Sequence, residues 1–186
     1  MPTTGPTTTR LVLVGILKGV FVFLADLVRE LNIPHSIYFL EASSYKGQKR
    51  GQLQFSTQIE PAKLRGRRVL VVDELFDHGE TMNGTVQALL ANQELDLRPE
   101  DIRTCTLFIK DSGTNLPVPD FVGMPRLPAL WLVGYGLDHD GEKRGWPHLF
   151  ATPKADNIDR VPEDAIFDSE EAYAFLFTKL SAELFN

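Results

Sequence analysis

Short apolar runs alternate along the chain with segments in which apolar residues recur at helical spacing. Residues 11–17 are almost wholly apolar, which predicts a strand buried on both faces. The spacing of apolar residues over 20–31 predicts a helix, and Pro34 prevents its continuation. Residues 37–40 predict a second strand. The polar segment 43–54, with two glycines and several basic residues, predicts a mobile loop.

The middle of the chain repeats this alternation. Residues 69–72 form a second wholly apolar run and predict a strand, and a helix is predicted from about Glu80. The apolar face of that helix would consist of Met82, Val86, Leu89 and Leu90. Further strands are predicted at 104–109 and 130–135, separated by a connection at 113–128 that is rich in proline and glycine.

The last part of the chain predicts an irregular polar segment at 151–168 and then an amphipathic helix capped by Asp168 or Ser169. Its inward face would consist of Tyr173, Leu176, Phe177, Leu180 and Leu184. The order of strands and helices predicts an α/β domain with a mostly parallel sheet covered on both faces. We expect a flexible tail at residues 1–10 and one domain over residues 11–186.

Composition narrows the classes of function. The 186 residues carry a net charge of -6, which argues against a nucleic-acid partner because such proteins usually present a basic face. Cys105 is the only cysteine and lies in an apolar run, so we interpret it as a buried strand residue in a cytoplasmic, reducing compartment. No run of about 18 apolar residues is found, so a membrane partner is not expected.

The chemistry concentrates where the strand at 69–72 ends. Asp73 and Glu74 follow this strand, and a turn with Asp77 and Gly79 leads into the next helix. Backbone N–H groups at such a helix start suit a phosphate, and Thr81 adds a hydroxyl donor. In an open parallel sheet, ligands bind beyond the carboxyl ends of the strands.

Two alternatives bear on these acids. Asp77 and Glu80 have the spacing of a capping box, which needs no ligand. The Asp73–Glu74 pair would repel a phosphate unless it binds ribose hydroxyls or Mg²⁺, which prefers oxygen ligands. A capping box leaves unexplained why two acids end an apolar strand, so we favour the ligand site.

Residues 71–81 resemble the diphosphate-sugar motif of type I phosphoribosyltransferases: hydrophobic residues, two acids, two apolar residues and then Asp-x-Gly-x-Thr. Other segments resemble the enzymes that act on 6-oxopurines, namely hypoxanthine, guanine and xanthine. These are residues 17–19 and 23–27 (first loop and helix), 43–45 (mobile catalytic loop), and 119–123 and 131–138 (purine-binding region). Residues 138–146 and the order Asp73-Glu74 are most similar to guanine-preferring enzymes of protists.

The resemblance implies a fold with a small hood region beside the sheet, and a reaction in which a purine nitrogen displaces diphosphate from phosphoribosyl diphosphate. It also implies Mg²⁺ as cofactor and a homodimer or homotetramer. The purine would be guanine, with hypoxanthine or xanthine as alternatives. Asp77 would exchange a proton with the purine. Ser44 and Tyr45 would close over the reacting centre.

The remaining roles are also implied by the resemblance. Those for the sugar donor fall on Lys18 and Gly19 (diphosphate), Asp73 and Glu74 (ribose hydroxyls, and candidate metal ligands), the phosphate-loop residues His78, Gly79, Glu80 and Thr81, Asp138 (Mg²⁺) and Arg144 (diphosphate). Those for the base fall on Lys110 (the exocyclic oxygen), Trp131 (stacking) and Leu132 (backbone contacts).

Each of these residues also has an ordinary explanation. Lys110 and Arg144 could be exposed surface charges, the acid pair could be solvated, and Trp131 could belong to the core. In the family, the peptide before the position of Lys18 is often cis.

Two features depart from the family. A helix and a strand that precede the strand at 11–17 in the family are expected to be missing, which indicates a truncated form or a late gene start. His78 stands where the family has a small residue, Thr or Ser. Two rival functions therefore stay open: a non-catalytic sensor that binds the sugar donor, and an inactive truncated enzyme.

Overall fold

The computed structural model describes residues 11–44, 53–56, 58–110, 113–127 and 130–152. The elements are β1 (Leu11–Leu17), α1 (Phe21–Glu30), β2 (His35–Ser44), β3 (Leu53–Phe55), α2 (Pro61–Leu64), β4 (Arg68–Phe76), α3 (Glu80–Ala91), β5 (Ile102–Lys110), β6 (Phe121–Leu127), β7 (Trp131–Val133) and β8 (Phe150–Thr152). A short 3-10 turn, Pro99–Asp101, precedes β5. The predicted tail at 1–10, Tyr45 and the predicted C-terminal helix lie outside the described residues.

Six strands form the main sheet in the order β3-β2-β1-β4-β5-β6. All neighbours are parallel except β2 and β3, which pair antiparallel. The predicted mostly parallel α/β architecture is thus confirmed. A separate two-stranded antiparallel sheet, β7–β8, follows β6 along the chain and accounts for the small hood expected beside the main sheet.

Helices cover both faces of the sheet because β1 and β4 are apolar on both sides. On one face, Leu13 and Leu70 share a core cluster with Phe23 of α1. On the other face, Val14 and Met82 of α3 belong to a second cluster. Cys105 is fully buried in β5, as predicted, and burial raises the pKa of its thiol. None of the helices in the described part of the chain is long and apolar enough to cross a membrane.

The structure corrects three predictions about elements. The segment 113–128 is not only a connection, because its second half forms β6, a strand that Pro125 and Gly123 disguised in the sequence. The strand predicted at 130–135 shrinks to β7 and lies outside the main sheet. β2 extends through Ser44, so the segment predicted as a loop begins inside a strand that pairs with β3. In each case tertiary pairing decided what local composition left open.

Candidate functional site

The turn after β4 forms the first part of the site. Gly79 is the N-cap of α3 and adopts a left-handed conformation (φ 80°), which its lack of a side chain permits. A Cβ atom at Gly79 would lie 2.4 Å from the Phe76 ring, so the backbone packs directly on that ring. The turn and the first residues of α3 line a cavity of about 180 Å³ together with Asp73. The amides at the start of α3 therefore lie beside a space into which an anion fits.

The capping-box alternative is wrong. The helix begins at Glu80, and among the described residues no side chain bonds to the cap position. Asp77 lies two residues before the cap, and its carboxylate instead contacts the ammonium of Lys110 and the imidazole of His78. Lys110 Nζ lies 3.2 Å from Asp77 Oδ2, and His78 Nδ1 lies 3.3 Å from Asp77 Oδ1.

Lys110 extends from the last position of β5 into this turn. Its side chain is only 13% exposed, so it is not the solvated surface lysine that the ordinary explanation proposed. Parallel pairing of β4 with β5 brings the ends of both strands to one edge of the sheet. The Asp77–Lys110 pair is thus a direct consequence of sheet topology.

Thr114 braces the same turn from a distant segment. Its hydroxyl donates a 2.7 Å hydrogen bond to the carbonyl oxygen of His78. This residue has no signal in the sequence, because nothing in the segment around it indicates which turn it contacts. The backbone of this turn is therefore contacted by the Phe76 ring at Gly79 and by the Thr114 hydroxyl at His78.

The acid pair lies inside β4, which corrects the prediction that it follows the strand. Asp73 and Glu74 are both buried, so the alternative of solvated acids is wrong. Burial raises the pKa of Asp73 well above its ordinary value, and the neighbouring charge of Glu74 adds to this. Burial also raises the pKa of Glu74, against the opposing effects of its hydrogen bonds, the one with Asp73 first, and then of the positive Arg144.

Glu74 packs against the loop between β1 and α1. A Cβ atom at Gly19 would lie 1.7 Å from Glu74 Oε1, so only glycine fits there. The peptide between Leu17 and Lys18 is cis, a point that the sequence left open. The Lys18 ammonium lies 3.6 Å from Glu41 Oε1 on β2. A hydrogen bond from the Ser56 hydroxyl, followed by the charge of Lys18, lowers the pKa of Glu41.

The segment after β7 also contacts Gly19. A Cβ atom at Gly136 would lie 2.0 Å from the Gly19 carbonyl oxygen. Arg144 Nη1 donates a 2.8 Å hydrogen bond to the carbonyl of Gly136, and Arg144 Nη2 lies 2.6 Å from Asp138 Oδ1. Arg144 is therefore not a free surface charge beside Glu142. Glu74, Gly19 and Gly136 stack in contact.

Trp131 begins β7 and is 45% exposed, so it is not a core tryptophan. Its ring meets the His139 ring edge-on at 6.4 Å. Leu132 is buried and pairs with Ala151 of β8. An exposed indole on a short, paired strand offers a flat apolar surface to a planar ligand.

The acid pair includes one buried oxygen that a metal ion would satisfy. Glu74 Oε2 is buried and has no hydrogen-bond partner among the described residues, and Mg²⁺ or a sugar hydroxyl would satisfy it. Both oxygens of Asp138 already have partners, Arg144 and the amide of Gly141. Nowhere in the described ranges do three or more His, Cys, Asp or Glu side chains form a metal cluster. The two carboxylates of Asp73 and Glu74 nonetheless fit an Mg²⁺ ion that takes its other ligands from phosphates.

Contacts divide the predicted residues into two groups that meet at the acid pair. Asp77, His78 and Lys110 form one, and Gly19 and its neighbours form the other. Ser44 is described only by its backbone in β2, and Tyr45 lies outside the described residues, so neither is placed at the site. The role of Gly136 was missed, although a Gly-Tyr-Gly run is a turn signal in any sequence.

Comparison with known proteins gives consistent matches. Residues 6–140 match the family model of the phosphoribosyl transferase domain. The hypoxanthine phosphoribosyltransferase of Salmonella typhimurium is 36% identical over 143 residues, which cover 76% of this chain and 77% of that protein. The hypoxanthine-guanine phosphoribosyltransferase of Dictyostelium discoideum is 34% identical over 150 residues, covering 75% and 77%. The structure of Trypanosoma cruzi hypoxanthine phosphoribosyltransferase with the product IMP is similar at a TM-score of 0.65 and 30% identity, over 78% of this chain and 76% of that one.

Proposed function

Since the chain belongs to the phosphoribosyltransferase family, we propose that it transfers the phosphoribosyl group from phosphoribosyl diphosphate to a 6-oxopurine in purine salvage. The base would be guanine or hypoxanthine, and the products would be the nucleoside monophosphate and diphosphate. The observation that carries the proposal is the contact between Asp77 and Lys110 next to the anion-sized cavity after β4.

The 5′-phosphate of the sugar would occupy that cavity. Residues at the start of α3 line it, and the helix dipole favours a negative charge there. Gly79 lets the backbone approach the phosphate, and Thr81 and His78 add side-chain donors at the rim. These residues bind and orient the sugar without taking part in the proton transfer.

Asp77 and Lys110 would read one edge of the purine. The imidazole nitrogen N7 and the exocyclic O6 of guanine are neighbours on that edge. A carboxylate and an ammonium 3.2 Å apart match this pair of atoms. As the other imidazole nitrogen bonds to C1 of the ribose, the diphosphate leaves with the electrons of the C–O bond, and Asp77 holds the proton that the purine gives up.

Lys110 would also set the choice of base. An ammonium only donates hydrogen bonds, so it accepts an oxo group and rejects the amino group of adenine. Trp131 would stack on the purine face, and the backbone at Leu132 would contact the opposite edge. Ser44 and Tyr45 would close the site against water.

The diphosphate would lie between the Lys18–Gly19 amides and Arg144, whose planar guanidinium suits phosphate oxygens. Asp73 and Glu74 would hold the ribose hydroxyls and Mg²⁺, and Asp138 would join them at the metal by giving up its contact to Arg144 or to Gly141. When bound, Mg²⁺ neutralises the charge that builds on the leaving diphosphate. Glu74 also supports Gly19 from below, which keeps the diphosphate amides in place.

The test is to incubate the protein with phosphoribosyl diphosphate, Mg²⁺ and guanine, hypoxanthine, xanthine or adenine in turn, and to measure diphosphate release. We expect release with guanine or hypoxanthine and little with adenine. No release with any of the 6-oxopurines would overturn the proposal.

The rival functions predict different results. A sensor would bind the sugar donor in calorimetry, and adding guanine would produce no turnover. An inactive truncated enzyme would show no cooperative thermal transition. Burial of Lys110 against Asp77 favours the enzyme, because a sensor has no need of a base-reading pair. The single domain, the homodimer or homotetramer and the cytoplasmic location stay predictions.

A further inference from the structure

Two tight turns follow β7, and one of them has an unusual residue at its tip. Gly134 and Leu137 exchange backbone hydrogen bonds of 2.9 and 3.1 Å around Tyr135 and Gly136. Both tip residues have positive φ, 49° and 98°, as a type I′ turn requires. Such turns favour Asn, Asp or Gly at the first tip position, so a tyrosine there is an outlier.

The second turn has the residue pair that is usual at the tip of a type I′ turn. His139 and Glu142 exchange bonds of 3.1 and 3.0 Å around Asp140 and Gly141, with φ of 53° and 84°. Asp-Gly is the expected pair at these positions. Both turns share the same backbone conformation, but the first places a bulky tyrosine at the position where the second has an aspartate, so the first carries the strain.

Tertiary contacts hold Tyr135 in that conformation. Its side chain is 3% exposed and belongs to the same core cluster as Phe23 and Leu27 of α1. Its hydroxyl donates a hydrogen bond to the carboxylate of Asp26, also on α1. Burial raises the pKa of Tyr135, so the hydroxyl keeps its proton. The bond joins two segments far apart in the chain.

Both partners of the Tyr135–Asp26 hydrogen bond are connected to the region of Gly19. α1 begins two residues after Gly19, so Asp26 is rigidly connected to that loop. Gly136, the other tip residue, touches the Gly19 carbonyl and exchanges two hydrogen bonds with Arg144, one to the backbone carbonyl and one from the guanidinium. A shift of the turn would therefore displace both Gly19 and Arg144.

We propose that the Tyr135–Asp26 hydrogen bond is a positioning link that holds the Gly19 loop and Arg144 at the spacing the diphosphate requires. The inference deepens the proposed function and rests on it. Tyr135 does not touch substrate in this arrangement and acts through Gly136. Loss of the link loosens the diphosphate subsite and leaves the base-reading pair Asp77–Lys110 intact.

The test is the Tyr135→Phe variant, which keeps the ring in the core and removes the hydroxyl. We expect KM for phosphoribosyl diphosphate to rise about tenfold, since a hydrogen bond to a charged group is lost. KM for the purine should change less than about twofold, because the Asp77–Lys110 pair is untouched. Direct titration of the variant with inorganic diphosphate should show the same weakening without any turnover.

Matched variants separate positioning from stability. Asp26→Asn keeps an acceptor oxygen and should retain most of the donor affinity, whereas Asp26→Ala should reproduce the Tyr135→Phe effect. Combining Asp26→Ala with Tyr135→Phe should add little further. Tyr38→Phe makes the same chemical change on β2, where the side chain packs against the other core cluster, and should leave KM for the donor unchanged.

The outcomes distinguish this inference from the proposed function. Wild-type protein that releases no diphosphate with any 6-oxopurine overturns the function. Active wild-type protein with an unchanged donor KM in Tyr135→Phe, or with equal rises in donor and purine KM, overturns the positioning link alone. If Tyr135→Phe melts below the assay temperature, Asp26→Ala decides by the same measurements.

Discussion

The turn after β4, which is the proposed phosphate loop, and the region around Gly19, which is the proposed diphosphate region, would bind parts of one substrate, yet they are built in different ways. The phosphate loop is one contiguous stretch of strand, turn and helix start, braced from outside by Thr114. The diphosphate region is a stack of Glu74, Gly19 and Gly136 drawn from three distant segments. The first depends on local conformation, and the second depends on close packing of backbone atoms.

The two regions should therefore respond differently to substitutions. A contiguous turn keeps its shape when a side chain changes, so substitutions there should alter chemistry more than stability. A stack with no room for a methyl group should respond to small changes in volume, because packed interiors relax only in part. The following predictions test that contrast.

The largest effect is expected at Asp77. Asp77→Asn keeps the size of the side chain and removes the proton acceptor, so we expect turnover to fall by roughly 10²–10⁴-fold with donor affinity largely kept. Steady-state kinetics and calorimetry with phosphoribosyl diphosphate check this. The exposed Asp96→Asn serves as a matched control and should behave as wild type. Unchanged turnover in Asp77→Asn would contradict the proton-transfer role.

The next largest effect is expected in the stack. Gly19→Ala or Gly136→Ala would place a Cβ atom 1.7 Å from Glu74 Oε1 or 2.0 Å from the Gly19 carbonyl oxygen. We expect each to cost about 2–3 kcal/mol in the free energy of unfolding and to weaken donor binding. Gly145→Ala is the control, since a Cβ atom there meets nothing within 4 Å. Chemical denaturation measures all three, and equal stabilities would refute the close-packed stack.

A smaller effect of opposite sign is expected at Asp73. Burial raises the pKa of Asp73 in the folded protein above its unfolded value. The protonated carboxyl therefore makes its full contribution to the free energy of unfolding below the unfolded pKa, and this contribution is lost as the pH rises through the folded pKa. At about pH 7.5 we expect Asp73→Asn to raise the free energy of unfolding of the ligand-free protein by about 1–2 kcal/mol. At about pH 4 the gain should shrink. A gain that does not depend on pH would show that ionisation is not its cause.

The smallest effect is expected at His78, whose side chain is 67% exposed. His78→Thr keeps a side-chain donor in the phosphate loop, and the lost contact to Asp77 is an exposed one that is an ion pair only when the imidazole is protonated. We expect KM for the donor to change less than about threefold, since such pairs contribute at most about 1 kcal/mol. Initial-rate kinetics decide, and a tenfold change would mean that the imidazole has a specific role in phosphate binding.

Much of the site could be predicted from contiguous residues. The motif at 71–81 predicted the strand, the turn and the helix start, and the resemblance to the family is confirmed. The helix boundary at Glu80 came from local signals as well. The capping role offered for Asp77 failed because spacing alone does not show which residue enters the helix first. The strand β6 was not predicted, because the proline and glycine in its sequence favour a loop. Pairing with the neighbouring strand β5 makes this segment a strand.

The buried strands, the turn at Gly79 before α3 and the adjacency of Asp73 and Glu74 can be read from the sequence, because they depend on hydrophobic pattern and local backbone preference. Contacts between distant segments place Glu74 on Gly19, bring Lys110 to Asp77 and hold Tyr135 against Asp26. These contacts join residues whose separation along the chain gives no local signal. They arise when parallel strands bring their ends to one edge of the sheet and a distant turn closes over it.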